Sequence, residues 1–241
     1  MTASTWRTTA ELLRTQRISL ASFWLIIVVV FGTIAVISSF VADDMTTSVW
    51  IGGARWAPQY YAAVLGILNT ALSLRVHVAH GVTRRRFSWA GIVFGVIVCL
   101  GFAVISEAGF GLERILYDAK GWEQFGETPD VLAGPGVIIA STLSFAILYS
   151  VYYFSGWAIA SAFYRLGALR GVLLIIPLVA PEFLMEAVSW RALPVPFLDI
   201  AGDREPVTGG ELLFGLALAV ALAGVVVALL RSTSLGAKAT S

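Results

Sequence analysis

From Arg75 to Phe87 the sequence reads RVHVAHGVTRRRF. Four arginines fall within these residues, and a long apolar run stands on either side. Lys and Arg are held on the cytoplasmic side of short membrane loops, so this is read as an inner loop. The orientation expected for every other segment follows from it.

Hydrophobic residues make up 58% of the 241-residue chain and charged residues 13%, against about 45–50% and about 25% in soluble domains. The composition excludes a soluble globular fold and predicts an all-α membrane protein, one transmembrane domain over residues 1–241. Cys99, the single cysteine, lies inside an apolar run, leaving neither a disulfide framework nor a cysteine-based metal motif. It reads as a small buried hydrophobe. The opening MTASTWRTTAELLRTQR is too polar for a cleaved signal, and the first hydrophobic segment is expected to remain as a span.

Six stretches are read as spans, a bilayer core needing roughly 20 residues of helix: about 18–41, 59–74, 88–106, 135–160, 171–189 and 212–230. Ahead of them, Trp6, Ala10 and Leu13 share one helical face and Arg7, Glu11 and Arg14 the neighbouring one. That pattern predicts an amphipathic interfacial helix over residues 5–17, its arginines meeting anionic headgroups; a polar tail anchored by arginines is the plainer alternative. Asn69 is expected to make an interhelical hydrogen bond, and Gly91 with Gly95 has the small-xxx-small spacing of close helix contacts.

Residues 107–134 turn polar and acidic and are read as the longest outer segment, its charges a solvated face. Leu112, Ile115 and Leu116 form one edge of a short surface helix there, with Trp122 and Phe125 near lipid. The aromatic run LYSVYYFSGW in the fourth span is assigned to helix packing and interface anchoring rather than to a binding site. Pro177 and Pro181 each remove a backbone donor and are expected to kink or stop the fifth helix. The Pro-, Gly- and acid-rich stretch that follows, up to Glu211, is read as an outer re-entrant segment between spans five and six.

With the amino terminus inside, inner segments hold Arg7, Arg14, Arg17, Arg75, Arg84, Arg85, Arg86, Arg165, Arg170, Arg231 and Lys238, 11 of the 16 basic residues. Of the 15 acidic residues only Glu11 is inside. Both termini are therefore expected in the cytoplasm, with the chain a multi-pass protein of the cell membrane.

Chemistry-bearing motifs are few. No phosphate-binding Gly-x-x-x-x-Gly-Lys-Ser/Thr loop and no His-Glu-x-x-His pair occurs. His77 and His80, three apart, lack a third ligand of the same kind nearby and read as polar residues of a surface loop, so no metal is expected. Glu182 and Glu186 lie four apart on one helical face. If the fifth helix runs unbroken from Gly171, Glu182 lies about 16 Å along it, near mid-bilayer, where an ionisable group is a functional candidate. Arg191 is then a candidate partner for Glu186. If Pro181 ends the helix, both glutamates belong to the outer segment instead. With no nucleophile and base and no metal cluster, the chain is not expected to be an enzyme.

Six spans in about 240 residues, an amphipathic amino-terminal helix, the inner loop HGVTRRRF and a Pro-rich outer insertion together resemble the type-2 ABC transporter permeases. The local signature is Gly81, Thr83, Arg84, Arg85 and Phe87, similar to that family's G-x-[ST]-R-R-x-F turn. The resemblance implies that the loop from Arg75 through His77, His80, Gly81, Thr83, Arg84, Arg85 and Arg86 to Phe87 is the coupling element that docks on a separate ATPase. It makes residues 5–17 the connecting helix and residues 182–210 the outer re-entrant cap. It also implies two permease chains, alike or unlike, with two nucleotide-binding subunits that carry ATP and Mg, and no cofactor in this chain. Membrane lipid is an expected partner and nucleic acid is not.

Two other functions fit the residues: an ion- or proton-coupled transporter using Glu182 and Glu186, and a non-transport immunity or sensor subunit. Arginines at inner span ends also serve as topology anchors whether or not anything docks on them.

Overall fold

The computed structural model describes residues 3–42, 44–125, 130–190, 193–195, 198–200 and 207–231. Helix α1 runs Ala3–Val41, and α2, Trp50–Leu68, continues through a π-helical segment, Asn69–Leu74, into the short α3, Arg75–Ala79. Helices α4 (Arg84–Lys120), α5 (Pro135–Leu166), α6 (Ala168–Trp190) and α7 (Gly209–Arg231) complete the bundle. Between α6 and α7, β1 (Leu193–Val195) pairs antiparallel with β2 (Leu198–Ile200). Among the described residues six helical stretches, counting α2 through α3 as one, are long and apolar enough to cross a membrane.

Helices successive in the chain alternate in direction. The start of α1 meets the end of α2–α3 through Glu11 and His77, while its far end meets the end of α4 through Ser39 and Lys120. One end of the bundle thus carries Arg75, Arg84, Arg85, Arg86, Arg165, Arg170 and Arg231 at helix ends and turns.

Helix α5 is the centre, touching α2, α4, α6 and α7. Its aromatic run is core: Tyr149, Tyr152, Tyr153, Phe154 and Trp157 are all buried. Two glycines bring α2 and α5 together backbone to backbone. A Cβ at Gly66 would collide with the main chain of Tyr153 and Trp157, and one at Gly156 with the main chain of Ala63. Gly91 and Gly95 act differently from the expected backbone contact, since the space above them is filled by the rings of Trp157 and Tyr153. The Tyr153 hydroxyl donates to Gly91 O (2.8 Å) and accepts from Asn69 Nδ2, which gives Asn69 its interhelical bond.

Three expectations change. Residues 5–17 and 18–41 form one unbroken helix, on which Thr5, Thr8, Thr9 and Leu12 are buried, Leu13 packs partly against the core, and Trp6 and Ala10 are exposed. Threonine can be buried because its hydroxyl bonds back to the helix: Thr9 Oγ1 donates to Thr5 O (3.2 Å) and lies 3.3 Å from Ala90 O.

The third span does not stop at Ser106, and helix α4 continues to Lys120, where Gly121 caps it at φ +71°. Glu107 and Glu113 are buried rather than solvated, as are Trp122 and Phe125, whereas Leu112 and Ile115 face outward. Glu113 tolerates burial because Ser48 Oγ, the Trp50 amide and Gln124 Nε2 donate to it, and Ser141 Oγ of α5 faces Glu107.

Helix α6 runs through both Pro177 and Pro181 to Trp190. Proline is tolerated within membrane helices packed against neighbours, and here Ser155 Oγ of α5 donates to Leu178 O between the two prolines (2.8 Å), tying this stretch of α6 to the central helix. The segment read as re-entrant therefore begins with helix up to residue 190; residues 191–192, 196–197 and 201–206, Arg191 included, lie outside the described residues.

Candidate functional site

Two groups of residues concentrate the polar chemistry. The first is the arginine hairpin. Helix α3 ends at Ala79, and Gly81, at φ +80°, takes the left-handed conformation that reverses the chain in four residues. Thr83 caps α4, its hydroxyl oxygen accepting from the Arg86 amide at 3.4 Å. Val82 N donates to His77 O (3.0 Å), closing the turn.

Phe87 is the hairpin's anchor. It is fully buried, 5.5 Å between ring centres from His77 and 6.4 Å from Trp157. His77 Nδ1 donates to Ser73 O (2.8 Å) and its Nε2 lies 3.8 Å from Glu11 of α1. His80 Nδ1 donates to Val76 O (2.7 Å). Each imidazole thus turns one nitrogen onto the carbonyl four residues earlier. Among the described residues no group of three or more His, Cys, Asp or Glu is placed to hold a metal.

Arg85 and Arg86 are exposed and Arg84 is half-buried. The sequence-predicted set is brought together as one tight turn between two long helices, with Arg75 apart at the start of α3, its guanidinium 5.9 Å from the centre of the Tyr164 ring. There is no separate docking helix between α3 and α4.

The second group lines α5. Ser141, Ser144 and Tyr152 each aim a hydroxyl at a glutamate on a different neighbour. Ser141 Oγ is 3.5 Å from Glu107 Oε2 of α4, Ser144 Oγ donates to Glu211 Oε1 of α7 (2.7 Å), and Tyr152 Oη donates to Glu186 Oε1 of α6 (3.2 Å). All three glutamates are buried. Tyr152 also accepts from Gln59 Nε2 of α2 at 3.3 Å, while Gln59 Oε1 has no hydrogen-bond partner among the described residues. Glu182, one turn before Glu186, is half-buried.

Both glutamates thus lie on a continuous helix, and Glu186 faces the bundle interior. Glu107, Glu211, Tyr152 and Gln59 were not singled out by sequence reasoning. The signal was present as a polar stripe, Ser141, Ser144, Tyr152 and Ser155, at spacings of three, eight and three along an otherwise apolar helix.

A fourth buried acid has a structural role. Glu113 accepts from Ser48 Oγ, from the Trp50 amide (2.8 Å) and from Gln124 Nε2 (2.9 Å), and so pins the start of α2 to α4.

Six membrane-length helices among the described residues, five of them gathered about the sixth, α5, with buried carboxyl groups met by hydroxyl donors, define a multi-pass helical membrane protein. Compared with known protein families, curated proteins and solved structures, the chain matches none.

Proposed function

We propose that the chain is the permease subunit of an ATP-driven ABC exporter, a six-helix gate worked by a separate ATPase that binds ATP and Mg. The observation that carries this reading is the hairpin: a basic turn, exposed at Arg85 and Arg86, buttressed behind by buried Phe87 against His77 and Trp157. A tip braced in this way transmits force to α5, the helix on which the bundle is assembled. In this reading the arginine-bearing end and both termini are cytoplasmic, the first turns of α1 lie at the membrane surface as the connecting helix, and two permease chains form the path. The outer cap is assigned to the segment between α6 and α7. Exposed arginines can make charge-assisted bonds to an acidic or carbonyl-rich partner surface.

The test is purification of the native complex and identification of its subunits. An ATPase with a phosphate-binding loop should co-purify with the wild-type chain and be lost when Arg84, Arg85 and Arg86 are all changed to Glu. A chain that purifies without such a subunit, or a triple variant that retains ATP-driven transport, would count against the reading.

A second reading is favoured by one specific observation, the fully buried Glu186 bonded to Tyr152. Intramembrane carboxyl groups mark ion and proton paths. If the chain is an ion- or proton-coupled transporter, transport by purified protein in vesicles persists without ATP and is abolished by Glu186→Gln.

A further inference from the structure

A cavity of about 480 Å³ opens between the end of α2 and the end of α5, beyond the contact where Gly66 and Gly156 press the two helices together. Its walls are Thr70 and Ala71 from the π-helical segment, Ile67 just before it, and Ile159 and Phe163 of α5; Arg75 and Tyr164 stand at its mouth. No carboxylate lines it. Arg75 is exposed and makes no ion pair among the described residues, its one partner being the Tyr164 ring.

The cavity has a direction. The candidate span through α2 and α3 is free of Lys, Arg, Asp and Glu up to Leu74, and Arg75 is its one such residue, which a bilayer seated on this span would meet at headgroup depth. Ile67 lies eight residues earlier, two turns deeper along the same helical stretch. Leu72 and Val76 beside it are exposed and apolar, so the opening faces the hydrocarbon side of the bundle. A cation at the boundary above an apolar trough is the complement of one molecule type that surrounds any such protein. Basic pockets between membrane helices take anionic headgroups, and each arginine near the surface contributes about 1 kcal/mol. The hydroxyl of Thr70 in the wall is paired with Ser161 Oγ at 3.0 Å.

We infer that this cavity is a binding site for a single anionic phospholipid, its phosphate held by Arg75 at the Tyr164 edge and an acyl chain lying along Ala71, Ile67 and Ile159. The inference requires only that the chain spans a membrane and stands apart from the transport reading.

The experiment is native mass spectrometry of the full-length protein in detergent. Phosphatidylglycerol or phosphatidylcholine with identical acyl chains is added. Wild type should hold one phosphatidylglycerol at collision energies that strip phosphatidylcholine. Arg75→Gln should weaken phosphatidylglycerol binding about fivefold, Arg75→Lys should restore most of it, and Arg170→Gln, which alters an arginine outside the cavity, should leave it unchanged. Ala71→Trp, which fills the trough from an exposed position, should remove the bound lipid while Arg75 is intact. Equal retention of the two lipids would overturn the inference, as would equal losses from Arg75→Gln and Arg170→Gln, or a lipid that survives Ala71→Trp. Should Arg75→Gln fail to fold, the Arg75→Lys and Ala71→Trp arms decide the matter alone.

Discussion

The hydroxyl of Tyr152 on α5 donates to Oε1 of Glu186 on α6 at 3.2 Å, joining the bundle's central helix to its proline-containing neighbour through a fully buried carboxyl group. Removing the donor leaves that carboxyl group short of a partner inside the bundle. Tyr152→Phe should therefore destabilise the purified protein by about 1 kcal/mol, within the range of interhelical hydrogen bonds in membranes. Glu186→Gln keeps an acceptor for Tyr152 and should cost less. Thermal denaturation in detergent reads both, and the ordering fails if Glu186→Gln is the more damaging change.

Gly66 and Gly156 should tolerate no side chain. An alanine at either position sets its methyl group against the backbone of the facing helix, and backbone cannot rotate away. Each substitution is expected to cost about 1–3 kcal/mol through overpacking. Gly101→Ala, with open space at its Cβ, is the control and should be neutral. Melting temperatures of the three variants in one detergent make the comparison.

Glu113 should control the order of the chain ahead of α2. Its carboxylate accepts the Trp50 amide together with Ser48 Oγ and Gln124 Nε2. In Glu113→Ala the Trp50 amide should lose its protection from hydrogen exchange, and the Ser48–Ile51 region should become sensitive to protease, while amides in the middle of α4 stay protected. Unchanged exchange at Trp50 would mean that the carboxylate does not hold this helix start.

The arginine turn should depend on Gly81. Its φ of +80° costs an L-residue about 1–2 kcal/mol, so Gly81→Ala should loosen the turn without touching an arginine. Binding of the proposed ATPase, measured by co-purification, should fall in Gly81→Ala although the tip charge is preserved. Full binding in that variant would show that charge alone, and not the shape of the hairpin, recruits the partner.

Much of this architecture was legible in the amino-acid order because the bilayer leaves few choices. Six apolar runs separated by basic and acidic turns become six helices, and Asn69, alone in an apolar stretch, finds an interhelical partner in Tyr153. The reading failed where charge was equated with exposure. Glu107 and Glu113 looked like the start of a solvated loop, yet serine and glutamine side chains and the Trp50 amide, all outside this stretch, gather around them, and nothing local to residues 107–113 announces those donors. Proline misled for the same reason, since the Ser155 hydroxyl that supports α6 at Leu178 lies 23 residues earlier, on another helix. The arginine turn came through because its determinants, Gly81, Thr83 and Phe87, are neighbours in the chain. Of the glutamates facing α5, Glu186 was legible from its place in the fifth apolar run, whereas Glu107 and Glu211 were not, because their pairs are assembled only when the helices pack.

The π-helical segment Asn69–Leu74 has a consequence for how this protein tolerates length changes. Wide i→i+5 winding accommodates one residue more than α-helical winding in the same turn. Loss of a single residue at Ala71 can therefore be taken up by rewinding, leaving His77 aimed at Glu11 and Phe87 seated on Trp157, while the trough beneath Arg75 narrows. The same loss among residues 60–66 would instead turn everything beyond it by about 100° about the helix axis. Within one transmembrane stretch, a deletion can thus be silent for the basic tip in one turn and ruinous two turns away.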